Sequence, residues 1–514
     1  MKARANRREV TRWMLSASLG GLAAAKLSAG TVFHDAAGKV NFDPVRRRIQ
    51  QTIAQGDATG VAVAVVHGGR IVWEEGFGWA NQKAGLKATP HTPFSMASIT
   101  KPFTAATIMT LVAEGKLSLD DSANRYLAGC RLVGTARNAD AVSVRLLGAH
   151  VSGLPGIYES YEVDEARLVP TPNALLQAYG RLAYPPAICY EYSNIGFAAL
   201  NAIALALTQT EFGALMHRRV LAPLGLNDSF FGSDTARVQS GASRYDSLGR
   251  LIPHYTTSTP ASGELYASAH DLALFALFNM RHRVKGHASI LSGRDIDELH
   301  RPVFTGPSGV ATTFGWFKGH TASGVPFFFK TGGDPGVANR MCFVPSKDLA
   351  CVAVTNRSNT GELAYSVCDE VLANYLPDWR RPEEDCGFPA KPFVATPAWR
   401  GRWQGLLEGG GANTPIQLNI ESNEAATLSI GSNRVEAITG MRSEGEAFTG
   451  LSTGKIDAPD AIRTGATTLQ IKLLPRDNRL LGRVFAIAGD LNVKGVRLPY
   501  VLTLSRSGAA DRSS

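Results

Sequence analysis

Ser98 and Lys101 stand three residues apart in Ser98-Ile99-Thr100-Lys101, the interval at which a serine nucleophile can carry its own base. Positions i and i+3 share one helical face, so the amine can lie against the hydroxyl. A helix start adds a positive field and free N–H groups. In water a lysine amine has a pKa near about 10.4, so it acts as a base only where burial or cationic neighbours favour its neutral form. Two further clusters are unique in the chain. Tyr192-Ser193-Asn194 offers a phenol that can pass protons and an amide that can hold a lysine or a substrate N–H, and Lys330-Thr331-Gly332 ends an apolar run with a cation and a hydroxyl. Taken singly, each has a plain alternative: a helix-start serine caps, a tyrosine fills a core, and a strand-end lysine is solvated.

Other reactive residues read as structural. Ser452-Thr453-Gly454-Lys455 repeats the serine–lysine spacing and lies in Gly450-Leu451-Ser452-Thr453-Gly454, which fits a G-x-S-x-G elbow. An elbow needs strand, turn, then helix, and no helical run is read after it, so Ser452 is expected in a loop. No histidine spacing of the H-E-x-x-H kind argues for a metal. Six cysteines form no C-x-x-C. Cys342 and Cys351 flank Pro345-Ser346-Lys347-Asp348 and should face each other across a hairpin, as buried thiols or, in an oxidising compartment, as a disulfide.

The elements that must position these residues follow from periodicity. A helix is expected near Pro44–Gln55, then a buried strand over Gly60–Val66, a turn at His67–Arg70 and a second strand from Ile71 to Gly76. Residues 98–114 form the clearest helix, with Pro102 in its first turns and Gly115 as its stop. Strand character returns over 327–355, and 361–375 reads as a last amphipathic helix. Prolines 377, 382, 389, 392 and 397 mark a stiff linker over 377–397. Beyond it, 398–507 reads as a separate all-β domain, a sandwich or a barrel.

The order serine, tyrosine, K-T-G, at spacings of about 95 and 140 residues, resembles the class C branch of the β-lactamase and penicillin-binding protein superfamily, which includes DD-peptidases and related esterases. Phe94–Lys101, Gly115–Asp121, His150–Pro155, Tyr266–Leu272 and Gly332–Gly336 extend the resemblance over about residues 40–376. It implies an α/β (α+β) fold: an antiparallel sheet flanked by helices, with a helical subdomain. It also implies an acyl-enzyme on Ser98, with Lys101 and Tyr192 sharing the proton, either of them the base. Asn194, Lys330, Thr331 and Gly332 would bind substrate, and the N–H groups of Ser98 and Gly333 would form the oxyanion hole. The loop of His150, a triad candidate by residue type, is structural in this family, and no cofactor or metal is implied. Asp334 departs from the pattern: a carboxylate there opposes the substrate carboxylate typical of β-lactams and D-Ala-D-Ala peptides and leaves esterase or aminopeptidase-like activity open, unless it only makes the turn before Pro335.

Composition narrows the setting. Residues 1–29 hold a basic stretch with Arg7-Arg8 and then a short apolar run, as in a twin-arginine export signal, or a general secretory one. Six of the cations behind the formal charge of +9 lie there against one acid, so the exported chain would carry about +4, with no basic stripe for nucleic acid. No later apolar run could span a bilayer. The expectation is a periplasmic or secreted serine hydrolase acting on a small-molecule or peptide amide or ester. A true β-lactamase is the alternative within the class, and a non-catalytic cell-envelope binding protein the alternative outside it. The partner of the β domain is open. Because every motif precedes the linker, deletion beyond about residue 390 is expected to leave acylation intact.

Overall fold

The computed structural model describes residues 40–507 apart from 135–137, 163–164, 166–167, 285, 384–385 and 492–493. The export-signal segment lies outside the described residues. Gly60–His67 (β1) and Arg70–Asn81 (β2) form the expected hairpin, after the helix Asp43–Ala54 (α1). Phe317–His320, Pro326–Asp334, Val337–Val344 and Leu349–Thr355 (β3 to β6) complete the centre of a nine-stranded antiparallel sheet in the order β3-β4-β5-β6-β1-β2, with short strands at both edges.

The apolar run of β1 has a physical reason. Val61, Val63 and Val65 join one core, with Val45 and Ile49 of α1 and Val367 and Val371 of the last helix. Ala62, Ala64 and Val66 face another, beneath Thr100–Ala113 (α2) and Ala269–Asn279 (α3), where Phe103 and Phe275 stack at 3.7 Å. A strand covered on both faces has no polar side to alternate with. Helix α2 is likewise buried all round from Thr100 to Leu111, so it is a central core helix. The last helix, Gly361–Tyr375 (α4), matches its expected bounds.

Cys342 and Cys351 are directly paired across β5 and β6, as the hairpin spacing implies, and stay free thiols, pushed up in pKa by burial. The proline-rich stretch is held down: Trp379 packs on Phe327 at 4.6 Å and donates to Asp369, and Ala390–Pro392 pairs with Arg442–Glu444.

Eight strands then close into an antiparallel barrel: Gly401–Gly409 (β7), Ala412–Ile420 (β8), Ala426–Ile430 (β9), a strand bent at Ile438 (β10, Glu436–Ala437 and Thr439–Glu444), Ala447–Thr453 (β11), Thr468–Arg476 (β12), Arg479–Asp490 (β13) and Lys494–Arg506 (β14). Each pairs with the next, and β14 returns to β7 through Trp403↔Arg506 to Glu408↔Val501. Alternating apolar residues such as Ile416, Leu418 and Ile420 fill it. Ser452 lies at the end of β11 and not in a loop, and a six-residue helix, Pro459–Thr464, does follow. Its hydroxyl is nevertheless buried and donates to the Ala437 carbonyl, so it is part of the barrel wall.

Candidate active site

Ser98 sits in a single 3₁₀ turn, Ala97–Ile99, two residues before α2 begins at Thr100, which is later than a helix starting at Ser98 itself. Ala97 is held at φ 45, a left-handed conformation that costs an alanine energy. Gly332 explains how β4 comes so close: a Cβ there would lie 2.2 Å from the Met96 carbonyl oxygen. Asn339, opposite Gly332 on β5, ties the seam by donating to Ser95 O at 2.8 Å and accepting from Thr355 N at 2.9 Å. Gly333 is exposed, and a Cβ there would meet nothing within 4 Å, so β4 opens to solvent just past the Gly332 seam.

Three functional groups converge here. Lys101 Nζ lies 3.0 Å from Ser98 Oγ, and Tyr192 Oη donates to the same oxygen at 2.8 Å. Lys101 is fully buried and also bonds the Ser262 carbonyl at 3.0 Å. Burial, then the charge of Lys330, pushes its pKa well down, so the neutral amine is favoured. Burial pushes Tyr192 up, and the phenol keeps its proton. Lys101 and Lys330 both place Nζ 4.9 Å from the Tyr192 ring centre.

His150, whose loop the resemblance makes structural, packs beneath the site. It is buried, accepts from Ser193 N at 3.1 Å, stacks on Tyr192 at 4.2 Å and is kept neutral chiefly by burial. Asn194 begins the helix Asn194–Thr208 and is not joined to Lys101: it donates to Ile157 O at 2.9 Å, leaving Oδ1 buried and unpartnered among the described residues. That oxygen can accept a substrate N–H. Thr331 is partly exposed at the rim and Lys330 is buried beneath it.

Asp334 both ends β4 before the Pro335-Gly336 turn and faces the site. Its carboxyl is surrounded by protein although the residue is partly exposed, and burial raises it to about 7 against the pull of Arg244. Arg244, reached by no sequence signal, donates to Ser95 Oγ at 2.8 Å and lies 4.1 Å over the Tyr255 ring. A pKa raised above its unfolded value favours folding at low pH, and that contribution is lost as pH rises through about 7. Asp334→Asn, which mimics the neutral acid, should therefore match the wild type near pH 4. Above pH 7 it should be more stable by roughly 2 kcal/mol, about half of what three units imply, because solvent screens the group. Urea midpoints at several pH values test this; parallel curves for the two proteins would refute it.

The barrel reaches this site. Val496 and Arg497 of β14 pair with Glu159 and Tyr158 of the catalytic part. Glu191, next to Tyr192, is buried and accepts from Arg483 Nε at 2.5 Å, with Lys472 Nζ at 3.3 Å. Burial alone would raise its carboxyl; the two barrel cations outweigh that and hold it at about 2.

A family profile described as Beta-lactamase matches residues 45–366, more than half of the chain. The chain belongs to the Beta-lactamase family. Its family domain thus covers every residue of the serine, tyrosine and K-T-G groups, as the resemblance implied. The chain is similar to unguisins hydrolase ungD' of Aspergillus campestris, 24% identical over 369 residues, covering 66% of this chain and 67% of that protein. In fold it is similar to the octameric penicillin-binding protein homologue from Pyrococcus abyssi (TM-score 0.57, 21% identity, 90% of this chain and 100% of that one). It is also similar to SurE (TM-score 0.62, 19% identity, 89% and 98%). Both likenesses extend past the family domain into the barrel, since each covers about nine-tenths of the chain.

Proposed function

We propose that this member of the Beta-lactamase family is an exported serine hydrolase that cleaves an amide or ester through an acyl-enzyme on Ser98. The observation that carries the reading is Ser98 Oγ, bonded at once by a buried lysine amine and a protonated tyrosine. Neutral Lys101 takes the hydroxyl proton as Oγ attacks the carbonyl carbon, and the N–H groups of Ser98 and Gly333 receive the developing oxyanion. The proton then passes through Tyr192 to the leaving group, whose bond to the carbonyl breaks. Water, deprotonated by the same pair, cleaves the ester and restores Ser98. The relative named unguisins hydrolase supports hydrolysis as the outcome. Asp334, when ionised, opposes a substrate carboxylate at the end of β4, and so favours an ester, or a peptide with no free carboxylate there, ahead of a β-lactam.

Covalent labelling tests this. The purified chain is incubated with a fluorescent penicillin, a fluorophosphonate and a chromogenic short-chain ester, and intact mass is followed. One adduct per chain, absent in Ser98→Ala, is expected, and the reacting probe sorts the substrate class. No adduct and no turnover in folded protein would leave the binding-protein reading in its place.

A further inference from the structure

Away from Ser98, three residues from distant parts of the chain bring metal-ligating atoms within 4.8 Å of one another: Glu74, His91 and His270. We propose that they bind a zinc-class divalent transition metal. Zinc chemistry suits them, because two imidazoles and a carboxylate form a ligand set of intermediate softness that magnesium and calcium disfavour.

The elements carrying them are fixed. Glu74 lies within β2, and His270 in the first turn of α3, whose N–H bonds the Pro90 carbonyl at 3.1 Å. That bond fastens the loop of His91 to the helix of His270. The loop is closed on itself by Thr89 N to Thr92 Oγ1 at 2.9 Å, and β2 runs against it, since a Cβ on Gly76 would lie 2.4 Å from the Ala88 carbonyl oxygen. The outer partners are also in place. Asp228 holds His91 Nδ1 at 2.8 Å and is itself held by Ser268 Oγ at 3.0 Å. A ring that donates Nδ1–H to a carboxylate presents Nε2 with its lone pair, the orientation metal-bound histidines share. His270 Nδ1 and Glu74 Oε2 are 2.8 Å apart, and the metal would take the place of the proton between them. The rings of His91 and His270 lie 4.5 Å apart.

The site is half open to solvent at His91, so water can fill the remaining position. Sequence spacing cannot show such a site, since residues 74, 91 and 270 meet only through the fold. Bound metal would clip β2, the 89–92 turn and α3 together.

Calorimetric titration of the chelator-treated full chain with zinc chloride tests the proposal, with melting temperature as a second readout. One zinc per chain and a raised melting temperature are expected. His91→Ala and His270→Gln should each weaken binding by about a hundredfold or more, and Asp228→Asn by about tenfold to a hundredfold. Circular dichroism of each metal-free variant keeps a folding defect apart from a lost ligand. Magnesium should give no heat. No zinc binding up to ~1 mM, or binding that survives both histidine substitutions unchanged, would overturn the site.

Discussion

Replacing Lys101 by methionine is expected to slow acylation of Ser98 by about three to four orders of magnitude, while the melting temperature moves by only a few degrees. The two outcomes separate because they have different physical origins. In the proposed mechanism catalysis needs the amine lone pair, which lies 3.0 Å from Ser98 Oγ. Stability gains little from an amine that is fully buried and disfavours its own charge. Methionine fills a similar volume and leaves only the Ser262 carbonyl unpaired, a cost of about 1–3 kcal/mol set against the desolvation it removes. Lys101→Arg sharpens the test. It keeps a cation that cannot give up its proton, so it should be as slow as methionine if Lys101 is the base, and near wild-type if only positive charge matters. The pH profile adds a sign. The rate should fall as Lys101 is protonated, at a pH well below the ordinary lysine range. Lys330→Met removes a neighbouring charge that disfavours that protonation, so the acid limb should move to higher pH. Acylation rates from stopped-flow fluorescence decide it; an unmoved limb would show that Lys330 does not tune the base.

The candidate site was legible in the sequence because it is made of side chains at fixed intervals on local elements: Ser98 and Lys101 in one helical start, Tyr192 before a helix, Lys330 to Gly332 at a strand end. What was missed acts through the backbone or across the fold. Ser262 contributes a carbonyl, which any residue carries. The strain at Ala97 has no signature in residue type. Arg244 reads as one surface arginine among many until the fold buries it beside Ser95 and Tyr255. The barrel strands showed their alternation, but closure did not, because it depends on the segment interrupted at Ile438, whose first part pairs with β9 and whose second pairs with β11.

The seam between barrel and catalytic domain was also invisible, and it changes what removal of the barrel should do. With all motifs before residue 390, the sequence implied that truncation spares acylation. The structure instead runs a buried ion pair from Arg483 of the barrel to Glu191, whose N–H bonds the His150 carbonyl and whose neighbour is Tyr192. His150 in turn stacks on the Tyr192 ring. Arg483→Ala is therefore expected to cost about 3 kcal/mol, the low end for one partner stripped from a buried pair, because Lys472 remains 3.3 Å from Glu191. Acylation should slow by about tenfold to a hundredfold as the phenol loses its fixed place. Glu191→Gln combined with Arg483→Ala should recover part of the stability, since no unpaired charge is then buried, and the double-mutant cycle measures the coupling. The pair also sets an acid limit. A carboxyl held at about 2 against an unfolded value of about 4.5 contributes stability above the latter and loses it as pH falls towards the former, so the Arg483→Ala penalty should shrink between about pH 5 and pH 2. Truncation beyond residue 390 removes Arg483 and Lys472 together and should impair labelling of Ser98 more than either substitution. Urea midpoints and labelling rates for the three proteins measure this. An Arg483→Ala protein as stable and as fast as wild type would return the barrel to a passive appendage.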